Sequence, residues 1–320
     1  MAGELPWVEK YRPSVLADVV GQKEAIGRLQ SYVKGRNAPN MMFSGPAGVG
    51  KTSAAVALAK ELYGQEFARN FLELNASDSR GIDVVRGQIK DFARTLAFSA
   101  DFKIIFLDES DALTSDAQHA LRRTMEKYTK TCRFILSCNY SSRIIEPLQS
   151  RCIIFRFRPL QAKEVKERIQ EIAEKENLEI GDKALEAIVY VSMGDMRKAV
   201  NILQASSALS KKIDEETVFN VSSRAKPQEV KEMIMLAIEG KFLEARGLLD
   251  KLMYEHGMSG EDVIGQVYRE IMEADEKEIA SKAKIALVDV IGEYDYRLVE
   301  GAHERLQLEA MLAQFMRFKK

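Results

Sequence analysis

Apolar residues in the first half of the chain come in short runs separated by longer mixed stretches. The runs are Asn40-Met41-Met42-Phe43-Ser44, Phe71-Leu72-Glu73-Leu74, Ile104-Ile105-Phe106-Leu107, Phe134-Ile135-Leu136-Ser137 and Ile153-Ile154-Phe155. Each has the length of a strand, and most are unbroken rather than alternating. That pattern predicts strands buried on both faces of a parallel sheet. The stretches between them are long enough for crossover helices, so the first 160 residues read as an α/β domain of repeated βαβ units.

After Pro159 the strand-like runs stop and helical spacing takes over. Val165, Ile169, Ile172 and Ala173 share one face, as do Leu185, Ile188 and Val189, and then Val200, Ile202 and Leu203. This predicts a small helical domain over residues 161–222. Ser222 to Pro227 breaks the pattern, and residues 223–320 read as an all-helical domain. Its apolar stripes are Phe242, Ala245, Leu248, Leu249 and Leu252, and, near the end, Leu306, Met311, Leu312 and Phe315.

Composition changes this picture little. The chain is 46% hydrophobic and 30% charged, which is ordinary for a globular protein. No stretch approaches the ~18 apolar residues of a membrane span. The first residues lack the basic and apolar regions of a signal peptide. Cys132, Cys138 and Cys152 form no CxxC pair and read as buried free thiols of a reducing compartment. Charge is more telling in its distribution. Residues 1–160 carry 23 Lys and Arg against 17 Asp and Glu, whereas residues 161–222 carry 9 against 12 and residues 223–320 carry 15 against 19. The basic surplus sits on the domain with the predicted sheet and points weakly to an anionic partner.

The chemistry is concentrated at the ends of the predicted strands. Gly45-Pro46-Ala47-Gly48-Val49-Gly50-Lys51-Thr52 matches GxxxxGK[ST] between the first strand and a helix predicted from Ser53 to Tyr63. Glycines there let successive N–H groups point at phosphate oxygens, and the helix N-terminus adds positive charge. Lys51 is placed to reach the β- and γ-phosphates, and the Thr52 hydroxyl to ligand Mg²⁺. The third run ends in Asp108-Glu109, at the carboxyl edge where open α/β sheets bind ligands. Asp108 would hold Mg²⁺ and Glu109 would act as general base on a water, although an acidic loop after a strand has the same sequence. Asn139, after the fourth run, is either a turn residue or a group that touches a γ-phosphate. Arg197 falls in the first turn of a helix capped by Asp195, where a cation opposes the helix dipole and invites an anion, although Arg197 and Lys198 beside it would also read as solvated side chains. Arg151 precedes the fifth run. Arg86, Lys90 and Arg94 recur every four residues behind Arg80, as a DNA-binding stripe or an ordinary solvated helix face would.

Together these residues resemble the AAA+ ATPases, and within them the small subunits of the replication factor C clamp loader. Further segments carry the resemblance nearly end to end. They are Trp7-Val8-Glu9-Lys10-Tyr11-Arg12-Pro13, Val19-Val20-Gly21-Gln22, Asn75-Ala76-Ser77-Asp78, Gln118 to Glu126, Ser150-Arg151-Cys152 and Gly194-Asp195-Met196-Arg197. The resemblance implies that Val8, Arg12 and Val20 line the adenine and ribose side. It makes Asn139 a first sensor, Arg197 a second, and Arg151 a finger reaching the neighbouring subunit's nucleotide. It assigns Arg80, Arg86, Lys90 and Arg94 to DNA. It implies ATP and Mg²⁺ as cofactors, and a pentamer made with a large subunit and further small subunits. The implied partners are a sliding clamp of the PCNA type and primer–template DNA, with the third domain as a collar. The chain departs from the family at Ser110, where alanine is usual, and at Ala47 and Val49, where Pro and Thr are commoner. Another AAA+ DNA-processing motor, a non-hydrolysing ATP-binding assembly subunit or a P-loop small-molecule kinase would use some of the same motifs.

Overall fold

The computed structural model describes residues 5–78, 81, 83 and 85–318. The chain divides into two compact units, Met1–Lys212 and Ile213–Lys320.

All five apolar runs are strands of one parallel sheet in the first unit. They are β1 (Met41–Ser44), β2 (Phe71–Asn75), β3 (Lys103–Asp108), β4 (Cys132–Cys138) and β5 (Ile153–Arg156), in the order β2-β3-β4-β1-β5. Period-2 alternation splits their side chains between two cores. Met41, Phe43, Ile104, Phe106 and Ile135 face one, with Leu29 and Ala54 to Ala59 from the helices Lys23–Gly35 and Lys51–Tyr63. Met42, Ile105, Leu107, Phe134 and Leu136 face the other, with Ala117, Leu121 and Met125 of the helix Ser115–Lys127. The central strands are therefore buried on both sides, as expected. The outer strands are not: β2 alternates, and Ile153 and Ile154 of β5 are each 37% exposed, because an edge strand lacks a neighbour on one side.

The order matters for chemistry. Because β4 lies between β3 and β1, with Ser44 opposite Cys138 and Leu107 opposite Leu136, the carboxyl ends of all three strands meet at one edge. Helices Ala162–Lys175, Asp182–Ser192 and Met196–Leu209 complete the unit, with Val165, Ile169, Ile172, Ala173, Ile188 and Leu203 buried on the expected faces.

The second unit is helical, and Pro227–Ile238, Phe242–Asp250, Gly260–Glu273, Ser281–Val299 and Glu304–Phe315 share one core. Pro227 stands at the start of its helix, where a missing N–H costs nothing. One stripe member is corrected. Leu306 is 60% exposed, and Leu308 takes its place with Met311, Leu312 and Phe315. Spacing explains the switch: 308, 311, 312 and 315 follow i, i+3, i+4, i+7, whereas 306 lies off that face. Among the described residues no helix is long and apolar enough to cross a membrane. The three cysteines are free, and burial pushes their thiols up to about 12 for Cys132 and Cys152 and about 11 for Cys138.

Candidate nucleotide site

The loop after β1 is shaped by two close approaches. A Cβ on Gly45 would stand 2.2 Å from the Phe157 carbonyl oxygen. A Cβ on Gly48, whose φ is +68°, would stand 1.7 Å from Asp195 Oδ1. Asp195 accepts a hydrogen bond from the Lys198 N–H at 2.9 Å, so it is the N-cap that the sequence predicts. The next residue, Met196, donates its N–H to the Gly48 carbonyl at 3.0 Å. The loop is thus clasped by the start of the helix that carries Arg197.

Polar groups at the strand ends form a connected set. The Lys51 ammonium donates to the carbonyls of Gly45 (2.6 Å) and Pro46 (2.7 Å) and to Asn139 Oδ1 (2.9 Å), which occupies its three protons. Lys51 is only 8% exposed, and burial pulls its pKa down while the Asp108 carboxylate opposes that shift. The Thr52 hydroxyl donates to Asp108 Oδ2 at 2.6 Å. Glu109 is exposed beside them with φ +51°, a left-handed conformation that costs a non-glycine residue about 1–3 kcal/mol and that clusters at functional sites.

These residues line one open cleft. Ala47 to Ser53, Asp108, Glu109 and Asn139 are among its lining residues. Trp7, Val8, Val19, Val20, Ile172 and Met196 add apolar surface to the same lining. Arg12 and Arg197 also line it. Arg12 pairs with Glu9 at 3.3 Å and Glu73 at 3.7 Å, and the exposed Arg197 adds to the downward shift of Lys51. The cleft thus sets the cations Lys51, Arg12 and Arg197 beside the carboxylates of Glu9, Asp108 and Glu109.

Several contributors carry no sequence signal. The N-terminal segment is held over the cleft by Glu176, which accepts from Lys10 Nζ at 2.6 Å and the Tyr11 hydroxyl at 2.5 Å. Arg168 donates to the Tyr11 carbonyl at 2.8 Å, and the Trp7 N–H donates to Gln204 Oε1 at 3.0 Å. Each pair is about 160 or more residues apart in the chain, so no local pattern announces it.

Two sets of candidate residues stand outside the cleft. Arg151 does not line it; its guanidinium bonds Glu126 at 2.5 Å and the Pro147 carbonyl at 2.7 Å. Of the charged stripe, Arg80 lies outside the described residues, and Arg86 falls in a π-helical turn, Val85–Ile89. Lys90 and Arg94 are exposed on the short helix Lys90–Arg94 that follows.

A loop that curls at the end of a strand into a helix, with a lysine, a threonine and an aspartate drawn together under an exposed glutamate, defines a P-loop ATPase. The family model of the ATPases associated with various cellular activities (AAA) matches residues 41–160. The RFC1-like AAA+ ATPase lid domain matches 162–218, and the replication factor C C-terminal domain matches 225–314. The replication factor C small subunit of Methanococcus maripaludis is 58% identical over 310 residues, 97% of this chain and 98% of that one. That of Archaeoglobus fulgidus is 56% identical over 96% of each. The Thermotoga maritima RuvB Holliday junction branch migration motor superposes with a TM-score of 0.57 at 20% identity, over 80% of this chain and 91% of that one, which shows a shared fold alone. The chain belongs to the replication factor C small-subunit family.

Proposed function

We propose that the chain is an ATP-driven clamp-loader subunit whose hydrolytic site is completed by a neighbour. The reading divides it into an ATPase domain (1–160), a lid (161–222) and a collar (223–320). The observation that carries it is the position of Arg151. The cleft contains a phosphate loop, an acid pair and two sensor candidates, yet the family's finger residue stands outside it, exposed on Glu126. An arginine so placed is available to another subunit's nucleotide. An arginine finger supplied in trans is worth about 10³–10⁵-fold in phosphoryl transfer.

Within one chain, Lys51 exchanges its bonds to the Gly45 and Pro46 carbonyls for the β- and γ-phosphates, and Asn139, fixed by Lys51, faces the terminal one. Glu109 takes a proton from the attacking water, and Arg197 binds charge that develops on the γ-phosphate. Thr52 and Asp108 supply two adjacent hard oxygen donors, which suit Mg²⁺ bound with substrate phosphates. When bound, the ion supplies charge neutralisation at the phosphates.

The assembly is a pentamer of a large subunit and copies of this chain. It opens a sliding clamp of the PCNA type and loads it onto primer–template DNA. Arg80, Arg86, Lys90 and Arg94 contact phosphates, so DNA is gripped by charge and shape rather than by base sequence. Turnover by the reconstituted complex should rise with primed DNA and rise again with the clamp. DNA stimulation with no response to the clamp would remove loading from the reading.

A further inference from the structure

The ladder of β4 ends where Cys138 pairs with Ser44, so the next two backbone N–H groups have no strand to bond. They belong to Asn139 and Tyr140. Both donate to a single atom, Oδ2 of Asp111, at 3.3 Å each. Asp111 is delivered there by the turn Ser110–Ala112, which follows Glu109 directly. Two bonds lock that turn. The buried Ser110 hydroxyl donates to the Leu107 carbonyl at 2.8 Å, and the Ala112 N–H donates to the Glu109 carbonyl at 2.8 Å. The contacts close a ring. Lys51 holds the Asn139 side chain, the Asn139 backbone holds Asp111, the turn joins Asp111 to Asp108, and Asp108 holds Thr52 beside Lys51.

We propose that Asp111 is a positioning residue for ATP hydrolysis, setting how the Asn139 carboxamide stands relative to the acid pair. This rests on the reading of Asn139 as the γ-phosphate sensor. The chemistry suits the role. A carboxylate only accepts, so one oxygen takes both N–H groups without competing donors. At 3.3 Å each bond is slightly longer than the usual range of about 2.7–3.2 Å and weak singly, and the pair together fixes the strand tip. Alanine would leave both amides without a protein partner. Asparagine keeps one acceptor oxygen in the same place.

The test uses the full-length chain as wild type, D111A, D111N, N139A and the double variant D111A/N139A. ATP and ADP affinities are measured by displacement of a fluorescent nucleotide, and turnover is measured in the reconstituted complex. D111A should lower kcat about 10–100-fold, the scale of a misplacement near 1 Å, and reduce the preference for ATP over ADP while leaving ADP affinity unchanged. D111N should recover most of the loss. The double variant should be no worse than N139A, because Asp111 acts through Asn139. If D111A does not fold, D111E carries the test, since it keeps the charge but displaces the oxygen, and it should lose kcat with ADP binding intact. The proposal is overturned if N139A is impaired while D111A matches wild type, or if the double loss equals the product of the single losses. An N139A chain indistinguishable from wild type sinks the sensor reading itself, and the role of Asp111 with it.

Discussion

The cleft and the Arg151 corner hold similar residue types under opposite conditions. In the cleft, Lys51 is 8% exposed and spends every proton on its own chain, on two loop carbonyls and Asn139. At the corner, Arg151 has a side chain 37% exposed and leans on Glu126, itself 42% exposed and also 3.6 Å from Arg122. Exposed ion pairs of that kind contribute about 0–1 kcal/mol, so the guanidinium is cheap to move. The difference teaches where preorganisation is needed. Lys51, at the phosphate loop, is fixed in advance by its own chain, and Arg151, the group proposed for a neighbour's nucleotide, is held loosely.

The comparison can be broken most sharply at Arg151 itself. Arg151→Ala should lower turnover of the assembled complex about 10³–10⁵-fold while ATP affinity of the isolated chain stays unchanged. A weakened affinity in the isolated chain would place Arg151 in the cis site and end the contrast. Glu109→Gln probes the other side, with an expected loss of about 10²–10⁴-fold in turnover and ATP binding retained. If wild type turns over no faster than this variant, the chain is a non-hydrolysing assembly subunit.

Gly48→Ala tests whether the cleft is as closely fitted as its contacts indicate. The added Cβ would meet the Asp195 carboxylate at 1.7 Å in a left-handed backbone conformation. Stability should fall by about 1–3 kcal/mol and nucleotide affinity with it, read by denaturant unfolding and titration. For the charged stripe, reversing Arg86, Lys90 and Arg94 together should weaken DNA binding and lower the slope of log K against log salt by about 2–3. An unchanged slope would remove the stripe from the interface.

The smallest effect concerns acid. Lys10 and then Tyr11, hydrogen-bonded to Glu176, hold its carboxyl below the usual carboxylate range. The folded pKa is depressed, so this contribution is full above about pH 4.3, the unfolded value, and is lost as pH falls through the folded pKa. Trp7, the single tryptophan, sits in the same segment. Its fluorescence should change in that acid window, and Glu176→Gln should abolish the change.

Strands, helices and the phosphate loop were legible because each is written in local spacing. Five apolar runs gave five strands, and Gly45 to Thr52 lay between a strand and a helix as the motif requires. Strand order was not legible, since sequential runs do not say that β4 lies between β3 and β1. The misplaced Leu306 shows the limit of stripe reading near a helix start, where one face is as apolar as the next. The supporting contacts failed for a different reason. Glu176, Arg168 and Gln204 act through partners far away in sequence, and Asp111 looks like one more acid in an acidic turn until the amides of Asn139 and Tyr140 are seen to converge on it.

The contact of Gly48 with Asp195 and Met196 has a mechanical consequence. The helix Met196–Leu209 is a stiff rod of 14 residues, about 21 Å long, pivoted at its cap on the loop that grips phosphate. A tilt of about 3° at that pivot sweeps the far end through about 1 Å. The phosphate loop and the cap of this helix therefore share one contact, so a substitution that strains either would be felt by the other.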